Sequence, residues 1–319
     1  MSDLFKNIDA RTKLAGTNKL EILLFTLGED QRSGRREHFG INVFKVREVM
    51  RTPEITHAPE TPANVEGMVS LRGVLVPVID LAKYAGIVTA NRPEIMIVSE
   101  YNGHTQGFLV EAVDTILRLD WTSMRVPPDM LSHQMSGLVT AVTELESGKL
   151  VMMLDVEKVL AEALQTDLTI DSETVIRDTT FAEKRVFYAD DSAVARRQIE
   201  LTLDAMGLKH QSAVNGRRAW DELQRLARSA EIQGRPVRDF VQLILTDVEM
   251  PEMDGYMLTR MVKTDVRFAG IPVLMHSSLS GTSNQKLGQS VGVDGYVSKF
   301  EPHKLSQAIA NYLLEAQTA

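Results

Sequence analysis

Five side chains in the second half of the chain have the types and spacing for phosphoryl chemistry. The apolar run of residues 240–246 is of strand length and ends on the lone carboxylate of Asp247, with Pro251 and the turn signal Asp254-Gly255 close behind. Residues 185–189 form another short apolar run, ending in two successive acids, Asp190 and Asp191. Residues 271–276 lead to the hydroxyl of Ser277, and residues 295–298 lead to the ammonium of Lys299. An isolated strand-end Asp more often caps the next turn; the other four groups argue for chemistry instead. Three gathered carboxylates repel unless a hard divalent cation sits among them, and Mg²⁺ prefers such oxygen ligands. Asp247 can then attack phosphorus as a carboxylate nucleophile, while Lys299 neutralises charge on the transferring group and Ser277 bonds one of its oxygens.

These groups meet only if their strands run parallel, since parallel strands deliver all their carboxyl ends to one edge of the sheet. Helical patterns between the runs supply the crossovers. Asp191-Ser192 reads as a cap before a helix over residues 193–206, which Gly207 stops. Residues 208–214 read as a second strand and 217–226 as a second helix, which gives a doubly wound, five-stranded, flavodoxin-like α/β domain.

From about residue 182 to the end, the pattern resembles the receiver domain of two-component response regulators. The resemblance implies that Asp247 is the phosphoacceptor and that Asp190 and Asp191 bind Mg²⁺ with Asp247 and the Glu249 backbone carbonyl. It further implies that Lys299 and Ser277 contact the phosphoryl group and that Tyr296 is the aromatic switch residue. Two departures stand out: a longer loop over residues 231–239, and Phe300 after Lys299 where most receivers carry proline. His276 reads as a strand-end histidine rather than a base.

The chain as a whole sets the bounds. Its 319 residues exceed one typical core and imply two domains. A net charge of -8, with no basic concentration, argues against nucleic acid as the main partner. Zero cysteines exclude disulfides and thiol chemistry and fit a reducing cytosol. No apolar run reaches the roughly 18 residues of a membrane span, and residues 1–18 lack a signal-peptide pattern, so a cytoplasmic location is expected.

The first half reads as many short strands with turn signals, a barrel or sandwich pattern. Strands are expected at residues 20–27, 38–43, 94–99, 105–110, 113–119, 137–142 and 150–154, with a tight hairpin turning at Arg72-Gly73 between runs 65–71 and 74–81. Residues 43–50 repeat apolar side chains at helical spacing before Pro53, which predicts a helix, and a second helix is expected over 156–165. The basic run 31–36 reads as a solvated hairpin tip. The four His residues of this half show no metal-ligand spacing, and nothing in it assembles a catalytic constellation, so an interaction module rather than an enzyme is expected.

Over residues 19–165 the sequence resembles CheW, the chemotaxis coupling family, in Phe39-Gly40-Ile41, in Val46, Glu48 and Val49, and in the stretch from Gly67 through Arg72-Gly73 to Asp80-Leu81. That implies paired small SH3-like β-barrels whose partners are the cytoplasmic tips of chemoreceptors and the histidine kinase CheA. Val46, Glu48, Gly67 and Arg72 fall where that family's partner-contact surface lies. Each also has a purely structural account: Val46 as core, Gly67 as backbone freedom, Arg72 as an internal pair holding its turn.

A coupling domain at 1–165, a polar linker at 166–181 and a receiver at 182–319 resemble the CheV family. The implied function is a signalling adaptor between receptors and CheA, recruited to membrane-associated arrays and regulated by phosphorylation of Asp247 from the kinase phosphohistidine. Two alternatives remain: a phosphate sink for CheA, or an aspartyl-phosphate-type phosphatase. The second would want Asp-x-Asp-x-Thr where this chain has Asp247-Val248-Glu249.

Overall fold

A computed structural model describes residues 19–57, 65–101, 104–127, 138–163, 175–277, 288–299 and 301–315. Phe300, residues 1–18, the start of the strand expected at 137–142, the end of the helix expected over 156–165 and most of the linker expected at 166–181 lie outside the described residues. Two compact units emerge, one of Leu20–Asp167 and one that takes in Leu168–Ala319.

In the first unit β1 (Lys19–Thr26), β2 (His38–Asn42), β8 (Ala112–Asp120), β9 (Val139–Glu144) and β10 (Leu150–Leu154) form one sheet in the order β8-β1-β2-β10-β9. A second sheet, β3-β6-β7-β5-β4, comprises β3 (Val46–Arg51), β4 (Val65–Leu71), β5 (Val74–Asp80), β6 (Ile95–Tyr101) and β7 (His104–Val110). Burial on both faces explains why β1 reads as a nearly continuous apolar run. Leu23 and Phe25 enter an apolar layer shared with Ile79, Ile97 and Phe108 of the other sheet, while Ile22 and Leu24 pack with Trp121, Met124 and Val151. The second sheet has its own cluster around Val76, Val78 and Met96. The basic tip is tied down by Arg32–Asp30 at 3.3 Å and Arg36–Glu111 at 3.0 Å.

The helix expected over 43–50 is not there. A single 3-10 turn, Val43–Lys45, capped by Asn42, leads into strand β3. Val43, Val46 and Val49 nonetheless pack on the same core layer. The turn and a bulge in β3 between Val46 and Glu48 bring every third residue to one face, which mimics helical spacing. Valine's branched side chain then favours the pleated strand.

The hairpin turn is where the sequence placed it. Arg72 at φ 51° and Gly73 at φ 83° both lie in the left-handed region that a two-residue turn between twisted strands requires. The last helix among the described residues of this unit is α2 (Val156–Ala163), after the short turn α1 (Leu81–Tyr84) capped by Asp80.

The second unit is a parallel sheet in the order β12-β11-β13-β14-β15, made of β11 (Arg185–Ala189), β12 (Lys209–Ala213), β13 (Leu243–Thr246), β14 (Val273–Ser277) and β15 (Gly295–Ser298). Helices α3 (Ala193–Met206) and α6 (Pro302–Glu315) cover one face through Ile199, Leu203, Leu305 and Ile309. Helices α4 (Gly216–Ile232) and α5 (Gly255–Thr264) cover the other through Ala219, Leu223, Leu258 and Val262. Helix α4 runs six residues past its expected end at 226, so part of the long loop expected at 231–239 is helix. From Val175 onward the stretch expected as linker packs on this unit: Val175 and Phe181 are buried beside α3 and α6. Among the described residues no helix is long and apolar enough to cross a membrane.

Candidate phosphorylation site

The parallel register alone brings the acids to one edge. Ala189 pairs with Thr246, so the next residues, Asp190 and Asp247, emerge side by side from β11 and β13. Strand order reverses there, since β12 lies on one side of β11 and β13–β15 on the other, which is where open α/β sheets form their binding crevice. The ladder continues one residue further, with Asp247 N–H donating to the Ala189 carbonyl at 2.8 Å. Ser277 pairs with Ser298, which sets Lys299 just beyond the end of β15, and the Lys299 N–H donates to the Ser277 carbonyl at 3.2 Å.

Carboxylate oxygens of Asp190, Asp191 and Asp247 lie within 4.8 Å of one another. The Lys299 ammonium sits 3.0 Å from Asp190 Oδ2 and 3.1 Å from Asp247 Oδ2. Lys299, Asp190 and Asp247 are buried, with Asp191 half-exposed at the mouth. Backbone donors fix the outer oxygens: Ser192 N–H donates to Asp190 Oδ1 at 2.9 Å and Val248 N–H to Asp247 Oδ1 at 2.7 Å. The set carries three negative charges and one positive, a deficit suited to a divalent cation with oxygen ligands.

Ser277 is buried at the end of β14. Glu249 is half-buried in the loop after Asp247. His276 lies with Nδ1 4.0 Å from Asp190 Oδ2, beside the acids rather than in their centre. Tyr296 is half-buried on β15, its ring packed toward Val248, Tyr256, Met275 and Val291.

Sequence reasoning missed several positioning groups. Arg196 donates to the carbonyls of Asp190 at 2.8 Å and Asp191 at 2.9 Å, pinning the acidic doublet to α3. One of two consecutive arginines on a helix gives no sequence signal for that. Gly255 was visible as a turn residue, but its packing role was not: a Cβ there would overlap the Asp247 carbonyl oxygen. Gly216 at the start of α4 likewise leaves room for the Met253 carbonyl.

In the first unit Val46 is buried in the core layer. Gly67 sits at φ 135° in a bulge where any Cβ would overlap the Thr56 carbonyl, and Thr56 and Met68 exchange 2.9 Å backbone bonds across that approach. Arg72 pairs with Glu48 at 2.8 Å on the surface, joining the tip of the β4–β5 hairpin to β3.

Comparisons with known proteins agree with both halves. Residues 21–164 match the CheW-like domain and residues 186–310 the response regulator receiver domain. The sequence is 30% identical over 282 residues to chemotaxis protein CheV3 of Helicobacter pylori, covering 86% of this chain and 88% of that one. It is 28% identical to CheV1 of the same organism, covering 98% and 99%. Among solved structures, the scaffolding protein TtCheW of Thermoanaerobacter tengcongensis aligns at 29% identity with a TM-score of 0.38, covering 43% of this chain and 84% of that one.

Proposed function

Because the chain belongs to the CheV family of chemotaxis proteins, we propose that its receiver accepts a phosphoryl group on Asp247 and passes the change to the coupling domain. The adaptor role comes with the family; the residue assignments are the proposal. The observation that carries them is Lys299 held between Asp190 and Asp247, with Asp191 completing the cluster.

Asp190, Asp191, Asp247 and the Glu249 carbonyl would hold Mg²⁺, which when bound offsets carboxylate charge and polarises phosphoryl oxygens. The chain's own groups do the rest. Val248 N–H and Lys299 hold opposite oxygens of the Asp247 carboxylate and so orient it. A carboxylate oxygen forms the new bond to phosphorus as the P–N bond of a phosphohistidine breaks, and the imidazole leaves with that electron pair. Lys299 pairs with the incoming charge, and the Ser277 hydroxyl donates to a phosphoryl oxygen. The product adds nearly two negative charges at the sheet edge, to which Ser277, the 247–255 loop and then Tyr296 respond.

The donor is CheA phosphohistidine, the coupling partners are CheA and the cytoplasmic tips of receptors, and the protein works in the cytoplasm at receptor arrays. Glu48 and Arg72 present the partner surface, supported from beneath by buried Val46 and by the close approach at Gly67. Labelling with phosphorylated CheA tests the assignment: wild type takes up label in a Mg²⁺-dependent way, and Asp247→Asn takes up none while still binding receptor tips. Retained label on Asp247→Asn would overturn it.

A further inference from the structure

Tyr296 does not stand alone in its half-buried position. Its hydroxyl lies so close to Gly288 that a Cβ at 288 would overlap it, and the Gly288 N–H donates to it. A second partner is the hydroxyl of Tyr256, in the first turn of α5. Burial raises both phenols above their ordinary range, and the two hydroxyls are hydrogen-bonded to each other. Tyr256 is 4% exposed and packs with Val248, the residue after Asp247, and with Met275, the register partner of Tyr296. It also feels the negative charges of Glu249 and Asp254 in the same loop.

Tyr256 therefore touches the loop that follows Asp247 at one end and Tyr296 at the other. We propose that Tyr256 is a positioning residue that couples the 247–255 loop to the orientation of Tyr296, its hydroxyl latching the Tyr296 ring inward against Gly288. The inference rests on the phosphorylation reading of Asp247. Movement of the loop shifts Val248 and the start of α5, and with them the hydroxyl that holds Tyr296. The latch needs a hydroxyl at 256, whereas packing in the Val248–Met275–Val291 cluster needs only the ring.

That difference makes Tyr256→Phe the test. The full chain is labelled with 3-fluorotyrosine, the Tyr296 ¹⁹F resonance is assigned by its loss in Tyr296→Phe, and spectra are recorded with Mg²⁺, with and without beryllium fluoride as a phosphoryl mimic. In the wild type the Tyr296 resonance responds to beryllium fluoride. In Tyr256→Phe the outward population of Tyr296 rises about five- to tenfold, as expected for one lost hydrogen bond, and the response shrinks, while the chain still unfolds cooperatively and still binds beryllium fluoride. An unchanged Tyr296 resonance and response in Tyr256→Phe overturns the latch and leaves the phosphorylation reading standing. A wild type that does not bind beryllium fluoride overturns both.

Discussion

Lys299 holds its ammonium 3.1 Å from Asp247 Oδ2, with 1% of the lysine and 6% of the aspartate side chain exposed. Withdrawing two such charges from water is costly, and the pairing offsets that cost only while both partners are present. Here Asp190, 3.0 Å away, gives the lysine a second anion, so the same ammonium faces two buried carboxylates. The arrangement suits binding a further cation better than it suits stability.

Removing that ammonium therefore has two readable effects. Lys299→Ala should lower stability in Mg²⁺-free buffer by about 3–5 kcal/mol, the usual cost of leaving buried charge uncompensated. Added Mg²⁺ should then stabilise the variant by a margin that grows with its concentration, as for any ligand of the folded state. Thermal unfolding across a Mg²⁺ series checks both, and phosphoryl transfer should fall at least about tenfold, equivalent to about 1.4 kcal/mol of lost transition-state stabilisation.

Gly255→Ala should run against helix propensity. At a solvated helical position the change would stabilise by up to about 1 kcal/mol. Here the new Cβ overlaps the Asp247 carbonyl and meets Thr246 Oγ1 at 3.2 Å. The loop must shift, so the expected result is a loss of about 1–3 kcal/mol in urea unfolding, with reduced labelling of Asp247.

Asp265 sets a pH dependence away from the site. Bonds from the Arg267 guanidinium, with help from Gln224, pull its carboxyl down to about 2. Its unfolded value is about 3.9, so the contribution is present above pH 4 and lost as pH falls from 4 to 2. Solvent screening reduces it to about 1 kcal/mol. Asp265→Asn should be less stable than wild type by that amount at pH 7, with the two curves converging near pH 2 in urea titrations.

The receiver half was legible because the groups that cluster at its sheet edge sit on strand ends. Each of Asp190, Asp247, Ser277 and Lys299 closes an apolar run, and parallel pairing does the rest without any detail of side-chain packing. Groups that act through the backbone gave no such signal. Arg196 bonds main-chain carbonyls, Gly216 and Gly255 matter for what they leave empty, and Tyr256 reads in sequence as one more apolar helix residue. In the first half, alternation was obscured where both faces of a sheet are buried, and the bulge in β3 produced the false helical period at Val46 and Val49.

The pair Glu48–Arg72 separates partner binding from fold. Its nitrogen and oxygen are 2.8 Å apart, but the arginine side chain is 71% exposed, so the contact is worth no more than about 0.5–1 kcal/mol to stability. If its role were only to hold the hairpin tip, exchanging the charges should be harmless: Glu48→Arg with Arg72→Glu restores an ion pair of the same composition. A partner surface responds differently, because the partner meets each charge at a fixed place, and like charges across an interface cost several kcal/mol. The expected result is an unfolding temperature near wild type in the double exchange, with binding to receptor tips and CheA reduced at least tenfold, read by pull-down and titration. Binding restored along with stability would assign the pair to the turn alone and move the partner surface elsewhere on this unit.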